Sequence, residues 1–277
     1  MNATTGSTNG AYSVTFGGTT ITVTTDPLKT GYEPEGFYES YADGNWTNKI
    51  AASDGTLQSG TTYTDATGHW KATNSPTLYT KWQPKTYTIK LDKNGSTAGH
   101  LTDGSVTATY DSNTLTSLTA PTRTGYHLVD GYYKEPGLTN KIINLNGTLC
   151  TSTAYTDASG NWTNDGAVTL YAKWAPNIYT ITFDPADGSV DPTSASVTFD
   201  AAVSNAPVPT RTGYTFTGYN TAGGASITTN AGVFKSSVDG FTDGSAHWVQ
   251  PDDATITAQW TPNPYTITLT QSTESWP

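Results

Sequence analysis

Self-similarity constrains this chain more than any other property, because a sequence that repeats at a fixed period folds as a series of like units. Four segments recur in one order. The first is Tyr87–Asp92, Tyr179–Asp184 and Tyr265–Leu269, each beginning Tyr-Thr-Ile. The second is Pro27–Tyr32, Pro121–Tyr126 and Pro209–Tyr214, each ending Thr-Gly-Tyr. The third is Tyr63–Trp70, Tyr155–Trp162 and Phe241–Trp248. A closing segment ends in Trp82, Trp174 and Trp260, spaced 92 and then 86 residues apart. These anchors divide the chain into repeat modules at 1–84, 85–177 and 178–263. Residues 264–277 are left as the orphan first strand of a further module.

Within a module the period is two. Tyr179, Ile181 and Phe183 alternate with polar residues, as do Tyr214 and Phe216, and Ile256, Ala258 and Trp260. Such alternation predicts strands with one buried and one wet face. Composition agrees: 17 Tyr, 8 Trp and abundant Thr suit a pleated surface, while Met occurs once. The fold class is mainly β, with a small α+β variant left open by room for one short helix in each variable middle. Four to six short strands are expected per module. Asp187-Gly188, Asn94-Gly95 and Asn146-Gly147 predict tight turns, and the glycine of each Thr-Gly-Tyr predicts a similar backbone role. Hydrophobic residues make up 34% of the chain, so each core must be small and built from large aromatics, with Trp82, Trp174 and Trp260 expected inside it. Four residues including proline join each closing tryptophan to the next Tyr. Such connections are too short and stiff for a tether, so the array is expected to form an elongated rod. At roughly 30 Å per module, three would span about 90 Å.

A net charge of -10 and a pI near 4.6 exclude nucleic acid as the expected partner, since phosphate recognition needs a basic surface. No apolar run approaches the roughly 20 residues that span a bilayer. Met1 leads into a polar stretch without the apolar core of a secretory signal, so signal and anchor are expected outside this segment. Cys150 is the single cysteine, which leaves no internal disulfide.

Reactive constellations are not evident. His69 and His247 share a repeat position with Asn161, His127 stands where other modules have Glu33 and Thr215, and His100 is alone in a polar loop. None has the spacing of a metal site. Cys150 matches Gln58, which argues against a nucleophile. Asp65, Asp157 and Asp243 recur before the third anchor's tryptophan and read as turn caps, since one or two carboxylates fall short of a calcium site. A Lys–Asn cross-link is disfavoured because the third module has no Glu and one lysine, Lys235. No catalytic residue, cofactor or metal is therefore expected, and the chain is not expected to be an enzyme. Trp70, Trp162 and Trp248 are either core edges or, if exposed, a stripe for stacking sugars.

The ends are out of phase with the repeat. Val14 and Phe16 align with Val197 and Phe199, so the first module lacks its first strand; Tyr265, Ile267 and Leu269 carry that strand's pattern with no module after it. One reading is a segment of a longer array. The other is strand donation, in which residues 265–269 complete the module containing Val14 and Phe16 in another copy. The expected partners are the chain itself, or a host or cell-surface protein or glycan.

Taken as a set, the Tyr-Thr-Ile-Thr-Phe-Asp start, the Pro-x-Arg-Thr-Gly-Tyr centre and the Leu-Tyr-Ala-Lys-Trp close resemble the Listeria–Bacteroides repeat family, the internalin B-repeat-like modules of bacterial surface and secreted proteins. The resemblance implies compact β-grasp-like modules in tandem, an extracellular or cell-surface location, and a structural or adhesive role without catalytic residues.

Overall fold

The computed structural model of the chain describes residues 7–94 and 101–271; Gly95 and His100 lie outside the described residues. The first repeat contributes β1 (Ser7–Thr8), β2 (Ala11–Ser13), β3 (Thr22–Thr25), β4 (Leu28–Lys29), β5 (Tyr32–Ala42), β6 (Asn45–Ala52) and β7 (Tyr79–Pro84). The second contributes β8 (Thr86–Asp92), β9 (Leu101–Thr102), β10 (Gly104–Thr109), β11 (Leu115–Thr119), β12 (Thr122–Arg123), β13 (Tyr126–Tyr133), β14 (Lys141–Asn144) and β15 (Thr169–Pro176). The third contributes β16 (Ile178–Asp184), β17 (Ser194–Thr198), β18 (Tyr214–Asn220) and β19 (Ala254–Pro262).

The described residues contain no helix, so the short helix allowed for in each variable middle is absent. Those middles are rich in Thr, Ser, Gly and Asn, whose side chains compete with helical hydrogen bonds and favour turns. In the third repeat the middle folds as loops tied by single bridges, Asn220 to Ser226, Thr228 to Phe234 and Thr242 to Trp248.

One sheet plan underlies all three repeats, and the third shows it most simply. Its order is β17-β16-β19-β18. The first strand in sequence, β16, lies centrally, antiparallel to β17 (Tyr179 opposite Val197) and parallel to the last strand, β19 (Phe183 opposite Ile256). The second repeat has the same core, with β11 and β14 added at the edges: β11-β10-β8-β15-β13-β14. Here β8 is antiparallel to β10 (Ile89 opposite Val106) and parallel to β15 (Leu91 opposite Leu170). In the first repeat the plan is in two pieces, a hairpin β2-β3 and a sheet β6-β5-β7. Among the described residues no strand occupies the central place between β2 and β7.

The alternation read from sequence sorts side chains as expected on the central strands: Ile89 and Leu91 are 0% exposed, and Ile181 and Phe183 are 1% and 3%. They pack in the third repeat with Val197, Phe216, Tyr219, Trp248 and Ile256. Trp82, Trp174 and Trp260, expected in the core, are only half-buried. They sit near the outgoing end of the last strand, beyond the inward Leu or Ile and Ala positions; Trp260 packs edge-on against Phe216 and its Nε1 donates to the Pro185 carbonyl at 3.0 Å. The first repeat has a smaller core of Ile21, Phe37, Ile50, Ala51, Leu57 and Trp70. Its Leu78 is half-buried, where the equivalent Leu170 and Ile256 are fully enclosed.

The chain packs as two compact units. The first holds the first repeat and most of the second up to Lys173; the second holds Arg123–Leu128 and the residues from Trp174 onward. The division cuts across the second repeat; β7 ends at Pro84 and β15 at Pro176. No helix among the described residues is long and apolar enough to cross a membrane.

Candidate functional site: the Thr-Gly-Tyr joint

The Thr-Gly-Tyr motif and the proline linker come together in a joint that occurs twice, once wholly inside each unit. Only Lys85 separates β7 from β8, and only Asn177 separates β15 from β16. In the first joint the Lys85 N–H donates to the Gly31 carbonyl at 2.9 Å, and the Tyr110 N–H donates to the Lys85 carbonyl at 2.9 Å. In the second, Asn177 N–H donates to Gly125 at 2.8 Å and Phe199 N–H donates to Asn177 at 2.9 Å. The linker residue is thus held by its main chain on both sides.

Side chains complete the joint. The ring of Tyr110 lies over Gly31, and that of Phe199 over Gly125; a Cβ on Gly31 would stand 2.2 Å from Tyr110, and one on Gly125 2.5 Å from Phe199. Both glycines have φ of +76°, so glycine is required for its left-handed backbone and for the absence of a side chain. The following tyrosine meets the same ring edge-on, with centroids 5.5 Å apart for Tyr32–Tyr110 and for Tyr126–Phe199. Its hydroxyl donates to the next acid, Tyr32 to Asp111 at 2.7 Å and Tyr126 to Asp200 at 2.8 Å. The motif's cation caps the outer face of that tyrosine: Lys29 lies 3.6 Å from the Tyr32 centroid and Arg123 lies 3.6 Å from that of Tyr126. Burial, reinforced by the bond to Asp111, pushes the Tyr32 hydroxyl pKa up to about 12. In the first joint Asp165 adds a further tie, accepting from the Gly31 N–H at 3.1 Å and from the Tyr87 hydroxyl. The hydrogen bond from Tyr87 is the main reason the Asp165 carboxyl lies below the usual range.

A third copy is half-built. Asn263 N–H donates to Gly213 at 2.9 Å, Thr215 donates to the Asn263 side chain at 2.6 Å, and Arg211 lies 4.1 Å from the Tyr214 centroid. Among the described residues no aromatic ring covers Gly213, whose nearest neighbour for a Cβ is the Tyr265 hydroxyl at 3.9 Å.

The remaining sequence candidates fall into place around this. Trp70, Trp162 and Trp248 are 5%, 0% and 0% exposed. They are core side chains and offer no face to a sugar, which corrects the stacking stripe; small modules need such large apolar groups to offset chain entropy. Asp65, Asp157 and Asp243 cap turns. Each accepts backbone N–H groups two and four residues on, for Asp157 those of Ser159 at 2.9 Å and Asn161 at 2.8 Å. These bonds, with that of His69 foremost, hold the Asp65 pKa down to about 2. The preceding threonines, Thr64, Thr156 and Thr242, are buried hydroxyls that sequence reading passed over. Thr156 donates to the Cys150 carbonyl at 2.6 Å and Thr242 to that of Lys235 at 2.6 Å. Their recurrence before each Asp was the available signal.

Asp200, Asp243 and His247 come together closely enough to share an ion, a grouping the sequence did not suggest. Asp200 and Asp243 already serve the joint and the turn, and the first repeat has Gly17 at the position of Asp200. Three ligands also fall short of the four that structural zinc takes from protein and of the six or more that calcium needs. Cys150 is half-buried, and burial raises its thiol pKa. Val14 is half-buried, while Phe16, Tyr265, Ile267 and Leu269 are exposed.

The fold and the joint define a class: tandem β modules, of which the second and third are mixed sheets with their first and last strands parallel at the centre. Residues 87–151 and 179–239 match the model of the Listeria-Bacteroides repeat domain, and these two modules belong to that family. A protein of Evansella cellulosilytica named as a Gly-rich membrane protein is 26% identical over 200 residues, covering 72% of this chain and 19% of the relative. Another from the same organism, named as a membrane protein, is 28% identical over 192 residues, covering 67% and 24%. The chain thus spans a quarter or less of the length of these relatives. No solved structure matches it.

Proposed function

We propose that the chain is a non-catalytic structural and adhesive repeat segment of a secreted or cell-surface bacterial protein, serving as a spacer or stalk. The observation that carries this reading is the joint. A one-residue linker held by main-chain bonds on both sides restricts the angle between the modules it connects, a property useful for projecting and useless for catalysis. The family match and the two long relatives named as membrane proteins support a surface setting. The recurring polar groups are spent on turns and joints. Small-angle scattering tests the spacer: three modules in line give a radius of gyration of about 27 Å, whereas one globule of this length gives about 19 Å. A value near the latter refutes it.

A further inference from the structure

The second and third repeats differ at one edge of the sheet. In the second, β10 is covered by the antiparallel β11. In the third, the corresponding β17 is the outermost strand, and among the described residues no strand covers it. Proline accounts for the difference. With Pro121 and Pro209 aligned, Pro207 stands at the position of Thr119, which pairs with Ser105; proline has no N–H to give a ladder. The segment is held elsewhere instead. The Ala206 N–H donates to the Gly232 carbonyl at 2.8 Å, and the Tyr219 hydroxyl donates to the Pro207 carbonyl at 3.0 Å.

The edge left behind has its main-chain groups turned outward. The Phe183 N–H donates to the Thr193 carbonyl at 2.9 Å, and the Phe199 N–H to the Asn177 carbonyl at 2.9 Å. These bonds turn the odd-numbered residues of the stretch toward β16, so antiparallel alternation turns the N–H and C=O of Ser194 and Ser196 away from the sheet. Ser194, Ala195 and Ser196 are all exposed. Proteins blunt such edges with bulges, charges or proline. The outer strands β6, β11, β14 and β18 each carry an extra residue against the inner neighbour. In contrast, β17 keeps one register along its length, and its sequence Ser-Ala-Ser-Val-Thr has neither charge nor proline. It is an unguarded template for a further strand.

Charge selects the occupant. Residues 178–263 hold eight aspartates against two cations, Arg211 and Lys235, whereas residues 85–177 hold seven charges of each sign. The repeat with the open edge is therefore the strongly acidic one. Asp191 and Asp200 flank β17, and both are exposed. Two copies of β17 paired antiparallel about Ser196 would set Asp191 of one beside Asp200 of the other, acid against acid. A cationic strand meets opposite charge at both ends instead. We propose that β17 takes up an extended, cationic segment of a partner protein as an added antiparallel strand, as β10 takes up β11. The added strand bonds to the main chain of Ser194 and Ser196. Its residues opposite Ala195 and Val197 share the side on which Val197 is buried, so small or β-branched side chains fit there, with Lys or Arg beyond them. This goes beyond the spacer reading, which scattering from the chain alone decides.

The probe is a labelled peptide, Lys-Lys-Thr-Val-Thr-Val-Thr-Lys-Lys, titrated with the full chain to near-millimolar concentration and followed by fluorescence anisotropy. It is expected to bind, and its counterpart with glutamate at the four lysine positions to bind at least roughly 10-fold more weakly. N-methylation of the central threonine, whose N–H faces Ser196, should weaken binding by roughly 10-fold or more, because it removes a ladder bond. N-methylation of either valine, whose N–H points away from β17, should leave binding unchanged. Ser196→Pro in the chain should weaken binding as the central N-methyl does, with the unfolding midpoint showing whether the fold is kept. No binding overturns the proposal. Binding indifferent to the position of the N-methyl overturns it as well, since that is adsorption of positive charge to an acidic surface. If the chain alone dimerises in sedimentation and Ser196→Pro abolishes the dimer, the occupant is a second copy and the proposal is wrong.

Discussion

Replacing Gly125 by alanine isolates what the joint contributes. Two costs add. At φ of +76° an L-residue is strained by about 1–2 kcal/mol. The new methyl would also stand 2.5 Å from three atoms of the Phe199 ring, and displacing a packed ring costs about 1–3 kcal/mol. Gly213→Ala is the internal control: its φ is +80° but nothing among the described residues lies nearer than 3.9 Å, so only the backbone cost applies. Both glycines lie in the second unit, so one urea transition reports both. With a slope of about 2 kcal/mol per molar, the midpoint falls by roughly 1–2.5 M for Gly125→Ala and by roughly 0.5–1 M for Gly213→Ala. Equal shifts would mean that Phe199 contributes nothing at Gly125. The joint would then be a backbone turn with a ring nearby.

Three further outcomes follow from described contacts. Thr156→Val removes a buried donor to the Cys150 carbonyl and should lower the first unit's stability by about 1–3 kcal/mol in urea titration. Trp162→Ala should cost about 3–5 kcal/mol in the same assay; a surface platform could be removed at no cost, so an unchanged midpoint would contradict the burial seen. Acid should destabilise the fold. The carboxyls of Asp65, Asp157 and Asp243 are lowered chiefly by backbone N–H bonds, from His69, Asn161 and His247. That of Asp130 is lowered by Lys141, then Tyr133 and Lys173. Because their folded pKa values lie below the unfolded value near 3.9, the unfolded chain binds more protons between the two. The stabilisation is therefore full above about pH 4 and is lost as pH falls toward 2, measurable as a falling thermal midpoint; a flat profile would show that the turn bonds do not favour the carboxylate.

The sheet was legible because its signal is local. Alternation in Tyr179–Phe183 and Ile256–Trp260 assigns strand and inward face. Three things were not legible. The half-burial of Trp82, Trp174 and Trp260 depends on where the strand leaves the sheet, which periodicity does not report. The third anchor's tryptophan follows a turn, where alternation says nothing of inside or outside, so the burial of Trp70, Trp162 and Trp248 is a property of the packed fold and not of the local pattern. The joint itself is long-range: nothing near Gly31 in sequence indicates that Tyr110 will rest on it, although the constancy of Thr-Gly-Tyr and of the aromatic at positions 16, 110 and 199 marked both halves.

The place of the first and last strands bears on mechanics. In the second and third repeats the incoming and outgoing strands lie side by side and parallel at the centre of the sheet. A pull on the two ends of such a module drags these strands lengthwise past each other and loads their shared hydrogen bonds all at once. A hairpin pulled from its open end instead loses its bonds one after another. Each finished module is therefore arranged as a shear clamp, suited to bearing tension along the polypeptide.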